Sequence, residues 1–242
     1  MTRGDSWERA ERSSLRADGA SVRRGGAGYF VSLEGLDGAG KSTQVAALAA
    51  SLRKHRLDVL TVRPSGTLLG ELLHSFVLQH QRGPALDAWS EALLFFAERV
   101  QLLREVILPA LNRGAVVIAD RYTDSTLAYQ GGGRGLPLDA LLQLHREACG
   151  DVWPDLTVYL RIPVDVALQR QHAQQLPLDR IEGAPQDFHA AVAATFEELA
   201  ATHRERIVAV DATRAAVDVA RAISAAVTER ISAASGAAAG RS

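Results

Sequence analysis

A single cysteine, Cys149, stands among 242 residues. One thiol excludes a disulfide framework within the chain and the cysteine set of a zinc site. In a helical stretch such a residue is expected to be a small buried apolar group. No apolar run approaches the roughly 20 residues of a membrane span. Charge of one sign is also missing, since the formal net charge is −1. No global basicity therefore favours nucleic acid or an anionic membrane, and any anion site must be local. Residues 1–28 hold Arg, Ser, Gly and Asp but no hydrophobic signal core, which excludes a secretory signal there. They read as a disordered extension or as a start placed too far upstream. Residues 233–242 are rich in Ala, Gly and Ser and are expected to fray, with 235–242 a flexible tail. The cytoplasm is the default compartment. What is present is 47% hydrophobic residues, ample for one well-buried domain, expected over residues 29–234.

Short apolar runs alternate with longer helical patterns. Residues 29–34, 57–62, 115–119, 156–161 and 206–211 are too short for helices and lean on Val, Ile and Leu, as buried strands do. Between them, helical patterns cover residues 42–54, 68–79, 87–112, 138–149, 163–173, 186–204 and 215–232. This alternation implies an α/β fold with right-handed crossovers and a mostly parallel sheet covered on both faces. In such a sheet ligands collect at the carboxyl ends of the strands.

The first strand runs into Gly35, Leu36, Asp37, Gly38, Ala39, Gly40, Lys41 and Ser42. The spacing is G-x-x-x-x-G-K-[ST] in its required strand–loop–helix context. The glycines let backbone N–H groups turn inward on phosphate oxygens. The following helix adds its N-terminal partial positive charge. Lys41 can reach the β- and γ-phosphates of ATP, and the Ser42 hydroxyl is the expected Mg²⁺ ligand. The plain alternative, a glycine-rich turn that happens to hold a lysine, explains neither the strand before it nor the helix after it.

The third strand ends in Asp120-Arg121-Tyr122. Asp120 can hold Mg²⁺ directly or through water. The planar fork of Arg121 suits a phosphate bidentately. The alternative is an ion pair that caps the strand. Glu34 and Asp37 flank the loop entry, where simple turn chemistry is the competing explanation.

At this point the chain resembles the thymidylate kinase family of nucleoside-monophosphate kinases. The resemblance rests on FVSLEGLDGAGKST (30–43), LFFAERVQ (94–101), DRYTDSTLAYQGGGRG (120–135), PDLTVYL (154–160) and LDRIE (178–182). It implies a five-stranded parallel sheet and transfer of the ATP γ-phosphoryl group to dTMP, a step towards dTTP. It also implies a homodimer through the helices near 87–112 and 138–149. Phe95 would stack on the thymine and Arg99 would bond the base edge. These two are i and i+4 on one helix face, beside a core stripe of Phe96, Val100, Leu103 and Ile107; ordinary core packing is the alternative for Phe95. Thr126 aligns with the pyrimidine contact and Tyr129 with the deoxyribose wall; Gln130 falls beside them. Gly131, Gly132 and Gly133 would permit a tight backbone path after this helix. Asp37 would interact with the acceptor phosphate region. Lys41, Asp120, Arg121, Arg170 and Arg180 form the expected catalytic set, under a lid at about residues 170–185 whose part 176–183 closes to exclude water.

The pattern breaks in places. Relatives carry Arg-Glu-Pro-Gly-Gly-Thr after the second strand, where this chain has Val62-Arg63-Pro64-Ser65-Gly66-Thr67. Arg63 could serve the phosphate from a shifted position. The lid has few arginines, and Gln169, Gln171, His172, Gln174 and Gln175 surround Arg170. After the lid, Phe196 stands where relatives place a tyrosine, and Arg161 replaces a strand-ending Asp. These departures keep two alternatives open: a kinase for a different or modified pyrimidine monophosphate, and a nucleotide-binding relative with little catalysis.

Overall fold

The five aliphatic runs become one parallel sheet: β1 (Tyr29–Glu34), β2 (Val59–Val62), β3 (Val116–Asp120), β4 (Leu156–Arg161) and β5 (Ile207–Asp211), in the order β2-β3-β1-β4-β5. The structure is a computed structural model that describes residues 28–79, 86–150, 152–173 and 178–239. Phe30, Val31, Leu33, Val117, Ile118, Leu156, Val158 and Leu160 are fully buried. Successive strand residues point to opposite faces, so both faces of the sheet are covered, and this is why the strands read as continuous apolar runs. Cys149 is buried as expected.

The helices are α1 (Lys41–Lys54), α2 (Leu68–Gln79), α3 (Ala88–Leu102), α4 (Leu108–Asn112), α5 (Thr123–Thr126), α6 (Leu138–Cys149), α7 (Val164–His172), α8 (Gln186–Thr202) and α9 (Ala216–Ala239). The expected single helix over 87–112 is interrupted. Asp87 caps α3 through its side chain on Trp89 N and Ser90 N, and a π-helical stretch, Leu103–Ile107, joins α3 to α4. Pro109 at the start of α4 has no N–H to give the preceding turn, and a wider turn absorbs the misfit. The last helix runs to Ala239, beyond the fraying expected from residue 233; alanine is the strongest helix former. The segment 1–27 and part of the expected lid, 174–177, lie outside the described residues.

Two features position the site. First, β1 lies between β3 and β4 and pairs Leu33 with Asp120, so the turn after β1 and the turn after β3 open side by side. Second, α5 continues as a π-helix, Leu127–Gly133, on which α8 lies closely. The three glycines there have ordinary φ, contrary to the expectation of a tight backbone path. They are needed for close packing. A Cβ on Gly132 would lie 2.0 Å from Thr195 Oγ1, and one on Gly133 would lie 2.3 Å from the Phe188 ring.

Candidate active site

The loop from Gly35 to Ser42 curls through left-handed backbone at Gly38 (φ 85°) and Gly40 (φ 89°), conformations that glycine alone adopts without penalty. At Gly38 a side chain is excluded twice over, since its Cβ would sit 2.2 Å from Ala167 O on α7. Lys41 turns back over the loop and donates from Nζ to Leu36 O at 2.9 Å and Gly35 O at 3.2 Å. Burial, then the neighbouring Arg121 charge, pulls the Lys41 pKa down. Ser42 Oγ donates to Asp120 Oδ2 at 2.7 Å. The hydroxyl and carboxylate expected to share a metal are therefore adjacent. Among the described residues no cluster of three or more His, Cys, Asp or Glu could hold an ion. A hard oxygen pair of this kind suits a Mg²⁺ that takes its remaining ligands from phosphates and water.

Arg121 follows β3 with φ 76°, a left-handed conformation that costs a non-glycine residue roughly 1–2 kcal/mol. The strand ladder holds its N–H on Leu33 O at 3.1 Å. The next residue is held by Glu34, whose Oε1 accepts from Tyr122 N at 2.6 Å and whose Oε2 accepts from Ser125 Oγ. Glu34 is thus more than turn chemistry: fully buried, it pins the backbone on the far side of the strained residue. Burial, then the Asp124 charge, raises its pKa to about 7.

The guanidinium so aimed meets Asp37 Oδ1, Ser125 Oγ at 3.0 Å, Gly35 O at 3.1 Å and Tyr129 Oη at 3.1 Å. Tyr129 donates to Asp37 Oδ2 at 2.8 Å, and Lys41 Nζ lies 3.5 Å from Asp37. Burial works against an ionised Asp37, but the Arg121 and Lys41 charges prevail and hold its carboxyl well below the usual range. Burial also raises the Tyr129 phenol, which stays protonated.

Two chambers meet at this point. A cavity of about 260 Å³ is lined at one end by Phe95, Arg99 and Thr126 and at the other by Arg121 and Tyr129. A larger cleft of about 870 Å³ holds Lys41, Ser42, Arg63, Asp120 and Arg170. Asp37 and Arg121 line both. Phe96, Leu103 and Ile107 form the core stripe of the long helix, and Phe95 beside them faces the cavity. Arg99 is buried with Nη2 on Thr126 Oγ1 (2.7 Å) and Tyr122 O (3.2 Å), while its Nη1 has no protein acceptor. A buried donor without a partner is costly, so this end of the cavity is built for an acceptor atom on a ligand. Tyr129 is backed by Phe196, whose ring meets it edge-on at 6.3 Å and stacks on Tyr159 at 5.2 Å. The residue that replaces the expected tyrosine is therefore packed behind the pocket wall.

The remaining expected site residues divide between the two chambers and their surroundings. Arg170 lines the cleft, but its guanidinium rests on Ala212 O at 2.9 Å and Thr213 O at 3.4 Å. Arg63 is exposed on the cleft wall. Arg180 is not among the residues that line the phosphate cleft. It donates to Glu91 Oε2 and, from Nε, to Val77 O at 3.2 Å. Gln130 lines the cavity with its amide committed to Glu91 Oε1 at 2.8 Å. Arg161, outside the site, pairs with Glu197 at 2.6 Å. Sequence reasoning missed Glu91 and Ser125. Each had a signal: Glu91 stands four residues before Phe95 on the Phe95–Arg99 stripe, and Ser125 four residues after Arg121.

The fold and its two joined chambers define a phosphate-loop phosphotransferase with separate donor and acceptor seats. The family model described as thymidylate kinase matches residues 33–223. A thymidylate kinase of Thermomicrobium roseum is 46% identical over 202 residues, 83% of this chain and 95% of that protein. Those of Bradyrhizobium sp. and Deinococcus radiodurans are 43% and 45% identical over 89% and 84% of this chain, and over 96% and 98% of their own lengths. The chain belongs to the thymidylate kinase family.

Proposed function

We propose that this chain transfers the γ-phosphoryl group of ATP to dTMP, giving dTDP. The observation that carries the proposal is the junction of the two chambers at Arg121 and Asp37. A nucleoside with its base at Phe95, Arg99 and Thr126 would point its 5′-phosphate at Arg121. ATP along the loop would bring its γ-phosphate to the same place. Arg99 Nη1 offers a donor to a base carbonyl, which suits thymine. Tyr129 would form the wall at the sugar, where a 2′-hydroxyl would be excluded sterically.

Phosphoryl transfer needs little covalent help from the protein; alignment and charge neutralisation supply the acceleration. Lys41 and the loop amides would hold the donor phosphates, and Arg121 would hold the acceptor phosphate in line. Arg63 and Arg170 stand on the cleft wall within the same field. Ser42 and Asp120 would hold Mg²⁺, which would supply charge neutralisation for the phosphates.

The homodimer implied by the resemblance is supported by apolar residues left exposed on α2 and the start of α3: Leu68, Leu72, Trp89 and Leu93. Among the described residues none of the exposed large apolar side chains lies on α6, and we assign the contact to α2 and α3. Light scattering of the wild type and Leu72→Asp checks this; a variant of unchanged mass would refute it. Among the described residues no helix is long and apolar enough to cross a membrane, and we assign the enzyme to the cytoplasm, with its nucleotide substrates.

The deciding experiment is a coupled ADP-release assay with ATP–Mg²⁺ and dTMP, dUMP, UMP, CMP or GMP. Fast turnover with dTMP and loss of it in Lys41→Ala are expected. No turnover with any acceptor, with ATP binding intact, would overturn the proposal.

A further inference from the structure

Glu91 belongs to the first turn of α3 and is completely buried. A buried carboxylate is tolerated only when its lone pairs are filled, and these are. Oε1 accepts from Gln130 Nε2 at 2.8 Å and Arg134 Nε at 3.2 Å. Oε2 accepts from Arg134 Nη2 at 3.2 Å and from Arg180 Nη2. The donors come from two directions. Gln130 lies in the middle of the π-helical stretch that carries Tyr129 and Arg134 caps its end, and Arg134 lies over the Phe188 ring at 4.6 Å. Arg180 belongs to the turn at residues 178–183.

That turn is cross-bonded within itself. Asp179 Oδ1 accepts from Ile181 N and Glu182 N, both at 2.8 Å, and Glu182 Oε2 accepts from Asp179 N at 3.1 Å. Its outer attachment is Arg180. The Arg180 backbone N–H reaches Leu78 O at 3.2 Å and its Nε reaches Val77 O at 3.2 Å. These are carbonyls in the last turn of α2, where a cation is favoured. The neighbours of Arg180 do the covering: Asp179 and Ile181 line the smaller cavity with Phe95 and Tyr129, and Glu182 lines both that cavity and the phosphate cleft.

We propose that Glu91 is a positioning residue for the acceptor: its buried carboxylate holds Arg180 and thereby fixes residues 178–183 as a wall of the nucleoside cavity, so that Arg180 serves acceptor binding and not the charge of the transferring phosphoryl group. The inference rests on the proposed dTMP kinase activity for its kinetic test and on geometry alone for a second test. It separates two arginines that a sequence places in one lid. Arg170 stands in the phosphate cleft, and Arg180 is spent on the wall of the other chamber.

The principal variant is Arg180→Met, which leaves Glu91 with Gln130 and Arg134 and so keeps the buried carboxylate partnered. With the full-length protein, the KM for dTMP is expected to rise about ten- to hundredfold, the worth of a lost charge-assisted hydrogen bond. The kcat and the KM for ATP should stay within about twofold, as when binding is lost equally from ground and transition states. Arg180→Lys should recover part of the acceptor affinity. Glu91→Gln, which weakens every bond of the cluster, should show the same KM effect. A fall in kcat of about a hundredfold with an unchanged acceptor KM would put Arg180 at the transferring phosphoryl group and overturn the proposal. Wild-type kinetics in Arg180→Met would overturn it too. The second test needs no substrate. Amide exchange at residues 178–183 of the free protein should quicken in Arg180→Met, with the exchange of α1 unchanged; unaltered exchange at 178–183 would refute the latch even if the wild type phosphorylates nothing.

Discussion

Replacing Glu34 by Gln should change the pH dependence of stability in a calculable direction. In the folded chain burial, then the Asp124 charge, holds Glu34 at about 7, against an ordinary 4.5. As pH rises past 4.5 the unfolded chain releases this proton while the folded chain keeps it until about 7. The folded state binds more protons in that window, so stability falls as pH rises. A displacement from 4.5 to about 7 corresponds to about 3 kcal/mol, fully expressed above the upper value. The wild type alone will not display it cleanly. His145, in contact with Thr123 Oγ1 and Trp153, is pushed by burial from 6.5 to about 3. It contributes the opposite slope, with stability lost as pH falls through 6.5. The comparison with Glu34→Gln cancels the histidine. Gln keeps an oxygen for Tyr122 N and an amide for Ser125 Oγ, so any further offset should not vary with pH. Urea unfolding of both proteins at about pH 4 and about pH 8 should show the variant gaining up to about 3 kcal/mol relative to the wild type at the higher pH. A difference that is the same at both pH values would refute the argument.

Arg121→Ala should reduce turnover with dTMP at least about a hundredfold, through lost stabilisation of transition-state charge; near-normal turnover in the coupled assay would remove Arg121 from the proposed mechanism. Tyr129→Phe removes a hydroxyl that accepts from Arg121 and donates to Asp37, so the KM for dTMP should rise about two- to tenfold, the worth of one or two lost hydrogen bonds, and an unchanged KM would count against the Asp37–Arg121–Tyr129 cluster. Gly132→Ala should lower stability by about 1–3 kcal/mol, because overpacking must push α8 away. Thermal melts should show part of that loss regained with Thr195→Ala, and an unaffected melting temperature in the single variant would contradict the packing.

Much of the donor half was legible in the chain because it is local. A phosphate loop is a run of adjacent residues whose glycines, lysine and serine act through their own backbone and the helix that follows. Strand, loop and α1 therefore appear where the spacing puts them. The parallel sheet was legible for a related reason: strands buried on both faces cannot alternate polar and apolar residues. The family resemblance singled out Phe95 and Arg99; helical period added only that they share a stripe beside the core stripe of their helix. The breaks came where a residue's partner is remote in sequence. A run of glycines looks the same whether it serves a turn or a close helix contact, and only the approach of Thr195 and Phe188 decides between them. Arg180 looks like any lid arginine until Glu91, 89 positions away, is seen to hold it.

Composition, spacing and periodicity in this chain were thus enough for the phosphate loop, the sheet class and the order of the strands along the chain. They act over one turn or one strand, where neighbours in sequence are neighbours in space. The strand order across the sheet sets Asp120 beside the loop, joins the two chambers at Asp37 and Arg121, and divides the arginines between them. Those outcomes depend on which charged groups share a buried volume. The cost of leaving any one of them unpaired there, and not local preference, selects each partner.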